Sequence, residues 1–364
     1  MCGCGSRNSG GKDWGSPRGE ALSPPRFMGG ADSRSEMSSQ SRSPMRTRTK
    51  IAIVGTGQVG TATAFELIIT GLVDDLVLID LNAQAAASQA MDLNQAASAQ
   101  SFGTVVTSGD YTDCGDADIV VITASAKLAP GADRGSLLQS SSAIVDSIVP
   151  AVVEAGFHGI FVVITNPVDV ITERVAKLSG FPRDRVIGTG TALDSLRVRL
   201  ELARIFSVDE QSIQAYAMGE HGDTQMVPWS AVSFWGKPLD QAIADNPERA
   251  SGVDPDTVLD EAKRSAFQIV KGKGTTSFGI AATTCSIIAS IVRDEHSIIP
   301  VSVRLEGEYG HRDVCAGVPV ILGVNGIQEV VNIHLSDAEK KAFDASLEHI
   351  RTMQEAMPPL PERG

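Results

Sequence analysis

The sequence predicts an α/β protein: a doubly wound parallel (Rossmann) sheet followed by a second, α+β substrate domain. Three observations carry this. From Ile51 onward, short β-branched runs alternate with Ala- and Leu-rich stretches of helical length, the pattern of βαβ units. Runs such as I-V-V-I (119–122) and F-V-V-I (161–164) show no polar alternation, as expected of strands covered by helices on both faces. After about residue 190 the pattern changes to longer helices and fewer strands.

In chain order, strands are expected near 50–54, 76–80, 103–107, 118–122, 160–164 and 185–187. Helices fit between them at 58–70, 83–98, 135–155 and 168–178. The second part is predicted to hold helices at 191–206, 257–271, 277–291 and 336–355. Its short strands fall near 213–217, 299–306, 318–324 and 327–333. The expected domains are thus 45–189 for a dinucleotide and 190–364 for substrate and catalysis. Residues 1–44 contain 10 Ser, 8 Gly and 4 Pro, half the segment, and read as a disordered, non-functional extension ahead of a natural-looking start at Met45.

Composition narrows the function classes. With 42% hydrophobic residues the 364-residue chain can bury a core, and 44 Asp and Glu against 31 Lys and Arg give a net charge of −13. Such a field repels nucleic acid and anionic lipid, so neither is an expected partner. The continuous apolar runs all fall short of the roughly 20 residues a membrane helix requires. Five cysteines without metal-ligand spacing point to a reduced, cytoplasmic setting and no metal.

Gly55-Thr56-Gly57-Gln58-Val59-Gly60 follows an apolar strand and opens a helix, the context that a G-x-G-x-x-G fingerprint needs. Gly55 permits the tight turn, Gly57 lets backbone approach a pyrophosphate, and Gly60 allows close helix-to-strand packing, with the phosphate at the positive helix end. Asp80 ends the second strand, 20 residues past Gly60, where a carboxylate accepts from ribose hydroxyls and repels a 2′-phosphate. NAD is therefore the expected cofactor. Gln58, Val59, Thr123, Ala124 and Asn166 complete the expected cofactor-binding set.

Asp194 and Arg197 are three apart in a helical stretch and project from one face, which alone describes a surface ion pair. His221 lies in G-E-H-G-D (219–223), where flanking glycines suggest a loop that a ligand approaches closely. Asn166, before Pro167, is either a turn residue or a ligand to a substrate oxygen. The loop A-S-A-K-L-A-P-G-A-D-R-G-S after the fourth strand is of the type that closes on a ligand, with Arg134 as its working residue.

In this order, Thr165 to Asp169 (T-N-P-V-D), the helix with Asp194 and Arg197, G-E-H-G-D-T, E-G-E-Y-G (306–310) and G-V-P (317–319) resemble the L-lactate and malate dehydrogenase family over roughly Lys50 to Met357. G-F-H-G (156–159) and V-I-G-T-G-T (186–191) are similar to the L-2-hydroxyisocaproate dehydrogenases within it. The resemblance implies His221 as proton donor and acceptor, Asp194 as its orienting carboxylate, Arg197 as the fork for the substrate carboxylate, and Arg134 as the group that polarises the carbonyl. It makes Leu128 the substrate-discriminating position, with Thr276 lining the same pocket. Malate dehydrogenases carry arginine at that position and typical lactate dehydrogenases glutamine. Leucine leaves a second substrate carboxylate unpaired and favours pyruvate or a branched-chain 2-oxo acid. The family is commonly dimeric or tetrameric, and a homotetramer is expected. Two other readings stand beside the L-lactate type: a malate dehydrogenase, and a catalytically silent NAD-binding protein.

Overall fold

The first half of the chain alternates strand and helix: β1 (Lys50–Val54), α1 (Gln58–Ile69), β2 (Asp75–Ile79), α2 (Ala83–Ser98), β3 (Val105–Ser108), β4 (Ile119–Ile122), α3 (Arg134–Glu154), β5 (Ile160–Val163), α4 (Val168–Ser179) and β6 (Val186–Gly188). These are taken from a computed structural model that describes residues 48–126, 134–250 and 253–361, the side chains of 134 and 135 excepted. The extension expected over 1–44 and the selectivity position Leu128 lie outside the described residues.

All six strands are parallel, in the order β3-β2-β1-β4-β5-β6. Every residue of β4 and β5, and Ile51 to Val54 of β1, is buried, which accounts for the missing polar alternation. Strand order reverses between β1 and β4, so their carboxyl ends open a crevice at the point where dinucleotides bind such sheets.

The second half runs α5 (Ala192–Phe206), β7 (Ile213–Gln214), β8 (Ser233–Phe234), β9 (Lys237–Pro238), α6 (Leu239–Asp245), α7 (Pro255–Lys273), α8 (Phe278–Val292), β10 (Ser297–Glu306), β11 (Arg312–Gly323), β12 (Gly326–Val330) and α9 (Asp337–Glu355). Local chemistry sets the helix starts. Asp254 accepts from Thr257 N–H ahead of Pro255, and Ser336 with Glu339 forms a reciprocal capping box on α9. The antiparallel strands β10, β11 and β12 extend the first sheet instead of forming their own, through Ser302 of β10 opposite Gly188 of β6. A β-carbon at Gly188 would lie 2.8 Å from Ser302 Cβ, so this edge closes only over glycine.

Two helices are unusual in what they bury. Ser136–Glu154 is long and apolar enough to cross a membrane by length and composition alone, although continuous apolar runs indicate no such segment. Its Leu138, Val145, Ile148, Val149 and Val152 recur at helical spacing and are buried in the core, with polar residues between them. Helix α4 is buried from Val168 through Ala176 despite carrying Asp169, Thr172, Glu173 and Arg174.

Candidate active site

The crevice begins at the β1–α1 turn. Gly55 has φ +107°, and a β-carbon there would sit 2.5 Å from Ala124 N. At Gly60 it would sit 1.9 Å from Gly55 O. Gly57, the N-cap of α1, has open space where its β-carbon would be and no side chain to cap the helix. An exposed, uncapped helix N-terminus bordered by bare backbone fits a pyrophosphate. Asp80 Oδ2 accepts from Thr56 N–H at 2.8 Å and from Thr56 Oγ1 at 3.0 Å, and Oδ1 accepts from Asn82 N–H at 2.9 Å. The half-buried carboxylate is thereby fixed at the mouth of the crevice.

Gln58 is exposed and Val59 half-buried beside the turn. Thr123 turns the other way: its hydroxyl donates to Gly55 O at 2.6 Å, and the N–H groups of Thr123 and Ala124 both bond Val54 O. These two brace the glycine turn from β4. Asn166 is exposed, with its carbonyl held by Ser141 Oγ at 2.6 Å and its carboxamide unengaged among the described residues.

A second cluster forms where α5, α4 and the 219–224 loop meet. His221 Nδ1 lies 2.6 Å from Asp194 Oδ2, and Arg197 Nη1 donates to Asp194 Oδ1 at 2.9 Å. Side-chain exposures of 6% for Asp194, 10% for Arg197 and 29% for His221 place the anion inside and the imidazole at the opening. The Asp194 charge, opposed by burial, pushes the imidazole up to about 9. Burial works to raise the Asp194 carboxyl, but the His221 and Arg197 charges outweigh it and hold it below its ordinary value. With Nδ1 occupied, Nε2 is the nitrogen left to exchange a proton. The remaining guanidinium nitrogens of Arg197 make no hydrogen bond among the described residues.

The loop carrying His221 is gripped from four elements. Gly219, at φ +90°, exchanges backbone hydrogen bonds with Gly317 of β11. Glu220 N–H donates to Ser346 Oγ of α9 at 2.8 Å, and the buried Glu220 carboxylate accepts from Thr224. Lys263 of α7 donates to Asp223 O at 2.9 Å. Asp169 Oδ2, in the first turn of α4, accepts the His221 backbone N–H at 2.8 Å. Because Asp169 follows Asn166 by three residues, this last bond ties the Asn166 turn to the imidazole.

Of the expected residues, the structure brings Asp194, Arg197 and His221 into contact, sets Gly55, Gly57, Gly60 and Asp80 round the crevice, and places Thr276 just before α8. The start of α8 abuts α5: a β-carbon at Gly279 would lie 3.2 Å from Leu193 Cδ1, next to Asp194. Arg134 begins α3, and its side chain lies outside the described residues. Sequence reasoning missed Asp169, Ser302, Glu220, Ser346 and Lys263. Asp169 closes T-N-P-V-D and Glu220 lies in G-E-H-G-D-T, motifs that carry the resemblance, but an acid in the first turn of a helix looks like ordinary dipole compensation and no role was read for it.

A family model described as the lactate/malate dehydrogenase NAD binding domain matches residues 49–188, and one described as the lactate/malate dehydrogenase alpha/beta C-terminal domain matches 191–357. The chain is 44% identical over 306 residues to L-lactate dehydrogenase 3 of Bacillus anthracis, spanning 84% of this chain and 97% of that one. It is 39% identical over 311 residues to L-lactate dehydrogenase 2 of Lactococcus lactis subsp. lactis, spanning 85% and 99%. The crystal structure of minor L-lactate dehydrogenase from Enterococcus mundtii in the ligands-bound form matches with a TM-score of 0.83 at 37% identity, over 86% of this chain and 99% of that chain.

Proposed function

The chain belongs to the lactate/malate dehydrogenase family, and we propose that it is an NAD-dependent L-2-hydroxyacid dehydrogenase of the L-lactate type. It interconverts a 2-oxo acid, pyruvate or a branched-chain homologue, with the corresponding L-2-hydroxy acid. The observation that carries this reading is the Asp194–His221 contact of 2.6 Å with Arg197 on the same carboxylate, because binding a dinucleotide alone requires none of the three.

In the proposed mechanism, Gly55, Gly57, Gln58, Val59 and Gly60 would hold the pyrophosphate against α1, and Asp80 would take the ribose. Thr123 and Ala124 keep that turn in shape. The dinucleotide bound there would supply the hydride that reduces the 2-oxo acid and would take it back from the 2-hydroxy acid in the reverse direction. Arg197 presents its free nitrogens to the substrate carboxylate as a planar fork. Asn166 bonds the substrate oxygen, and Arg134, in the role the family resemblance implies, polarises the carbonyl. His221, charged below about pH 9, delivers its Nε2 proton to the oxygen where alkoxide charge develops. Asp194 keeps the tautomer and carries the counter-charge through the cycle. In the reverse direction neutral His221 takes that proton back.

The domain division at 189/190, a cytoplasmic location and homotetrameric assembly belong to the same proposal. Exposed Phe65 and Ile69 on α1, Leu200 on α5 and Phe278 on α8 are the apolar surface such an assembly would cover.

Steady-state rates with pyruvate, 2-oxoisocaproate and oxaloacetate test the reading. Leu128 leaves a distal carboxylate without a partner, so kcat/KM for oxaloacetate is expected to be lower than for the better monocarboxylate by about a hundredfold or more. An oxaloacetate preference would make the malate reading correct instead. NADPH is expected to support reduction at least about a hundredfold less well than NADH, because Asp80 faces the position of a 2′-phosphate. Comparable kcat/KM for the two cofactors would remove Asp80 from the ribose site.

A further inference from the structure

Four buried carboxylates lie at or behind the site, and three of them have basic partners, Glu220 through His349 Nε2 at 3.5 Å. Asp194 has Arg197 and His221, and Glu173 has Lys177 Nζ at 3.2 Å and Arg304 Nε at 3.6 Å. Asp169, 2% exposed, is different. Its Oδ1 accepts from Ser302 Oγ at 2.6 Å and its Oδ2 from the His221 backbone N–H at 2.8 Å. Among the described residues no lysine or arginine lies within ion-pair reach of it. A charge removed from water without a counter-ion is costly, and its nearest cation is the imidazolium whose backbone it holds.

We propose that Asp169 is a positioning residue for His221: one carboxylate oxygen fixes the peptide that carries the imidazole, and its buried charge helps keep the proton on the ring. Ser302 serves it by donating to the ionised carboxylate from β10. The proposal rests on the dehydrogenase reading above. Charged and titratable groups face this pair from every side. His221 meets Asp194 and Arg197 from α5 and Asp169 from α4, while Asp169 also meets Glu220 of the same loop and the buried thiol of Cys315 from β11. Desolvation raises the Asp169 carboxyl to about 6, and the Ser302 and His221 hydrogen bonds oppose that rise. Between pH 6 and 9 carboxylate and imidazolium are therefore charged together, the interval in which Asp169 assists the protonated ring.

Asp169→Asn separates charge from position, since the amide oxygen still accepts the His221 N–H. In this variant the pH at which kcat/KM for 2-oxo acid reduction falls off is expected to move down by about one unit, giving about a tenfold loss above that limb and less than about threefold at pH 6.5. Asp169→Ser, which also removes the buried charge, is expected to move the limb the same way. It also carries the test if the asparagine variant does not fold. Titration of the His221 ring by 13C-histidine NMR must show the same displacement without any turnover. An unmoved ring titration, or a loss of rate equal at every pH, overturns the proposal. If the unaltered enzyme reduces no 2-oxo acid, the dehydrogenase reading fails, while the ring titration still decides the role of Asp169.

Discussion

Replacing His221 with glutamine is expected to lower kcat/KM for 2-oxo acid reduction on the order of a thousandfold or more while leaving NADH affinity within about twofold. Glutamine can still bond Asp194, so the buried carboxylate keeps a partner and the loop keeps its four anchors. What disappears is the acidic Nε2 proton. The proposed cofactor contacts lie on the β1–α1 turn and at Asp80, in other elements. Stopped-flow reduction and fluorescence titration with NADH check the two halves of the prediction, and turnover matching the unaltered enzyme would exclude His221 as the acid. The pH profile gives an independent check. Since the ring is raised from 6.5 to about 9, kcat/KM for reduction is expected to fall as pH passes 9, and that limb should vanish in the glutamine variant. The same link has a stability consequence. The Asp194–His221 pair contributes fully below pH 6.5 and its contribution is lost as pH rises through about 9.

What could be read in the sequence was what is local in the chain. The glycine turn and its Asp80 partner lie within thirty residues and obey fixed spacing, and strand and helix positions follow periodicity, so these were legible from residues alone. The Asp194–His221 pair spans 27 residues and two elements, and here only the resemblance to a family joined the two positions. Asp169 and Ser302 are 133 apart, and Glu220 and Ser346 are 126 apart. No periodicity encodes contacts of that range, because they depend on which strand edge β10 chooses. For the same reason β10 to β12 looked like a separate α+β layer, although Ser302 opposite Gly188 makes them one sheet with the dinucleotide half. The hairpin of β8 and β9 went unread because each strand has two residues, too few to show alternation. In helix α4, V-D-V-I-T-E-R-V-A-K, the spacing gave a helix but not its burial: Asp169, Glu173 and Arg174 are buried because each meets a partner, while Lys177 stays exposed.

Arg174→Met, remote from the site, is expected to destabilise the protein by about 3–5 kcal/mol. The guanidinium, 2% exposed, donates from Nε to Asp146 Oδ1 at 2.6 Å and from Nη2 to Asp146 Oδ2 at 2.7 Å. It also donates from Nη1 to Pro358 O at 2.8 Å and from Nη2 to Pro359 O at 3.1 Å. One side chain therefore joins α3, α4 and the segment after α9. Methionine fills much of the volume but strands a carboxylate only 21% exposed and frees two carbonyls. Urea unfolding measures the loss, and a change below about 1 kcal/mol would mean that water or a rearranged neighbour satisfies Asp146. Adding Asp146→Leu removes the stranded anion, so the double variant is expected to recover part of the stability although it has lost more hydrogen bonds. Limited proteolysis should then still cut near Pro358 in both variants, because neither restores the donors that held that backbone. Arg174 follows Asp169 by five residues and points to α3 while Asp169 points to the His221 loop. Below the melting transition kcat/KM is accordingly expected to stay within about threefold of the unaltered enzyme, which separates the support of the fold from the chemistry that α4 serves on its other face.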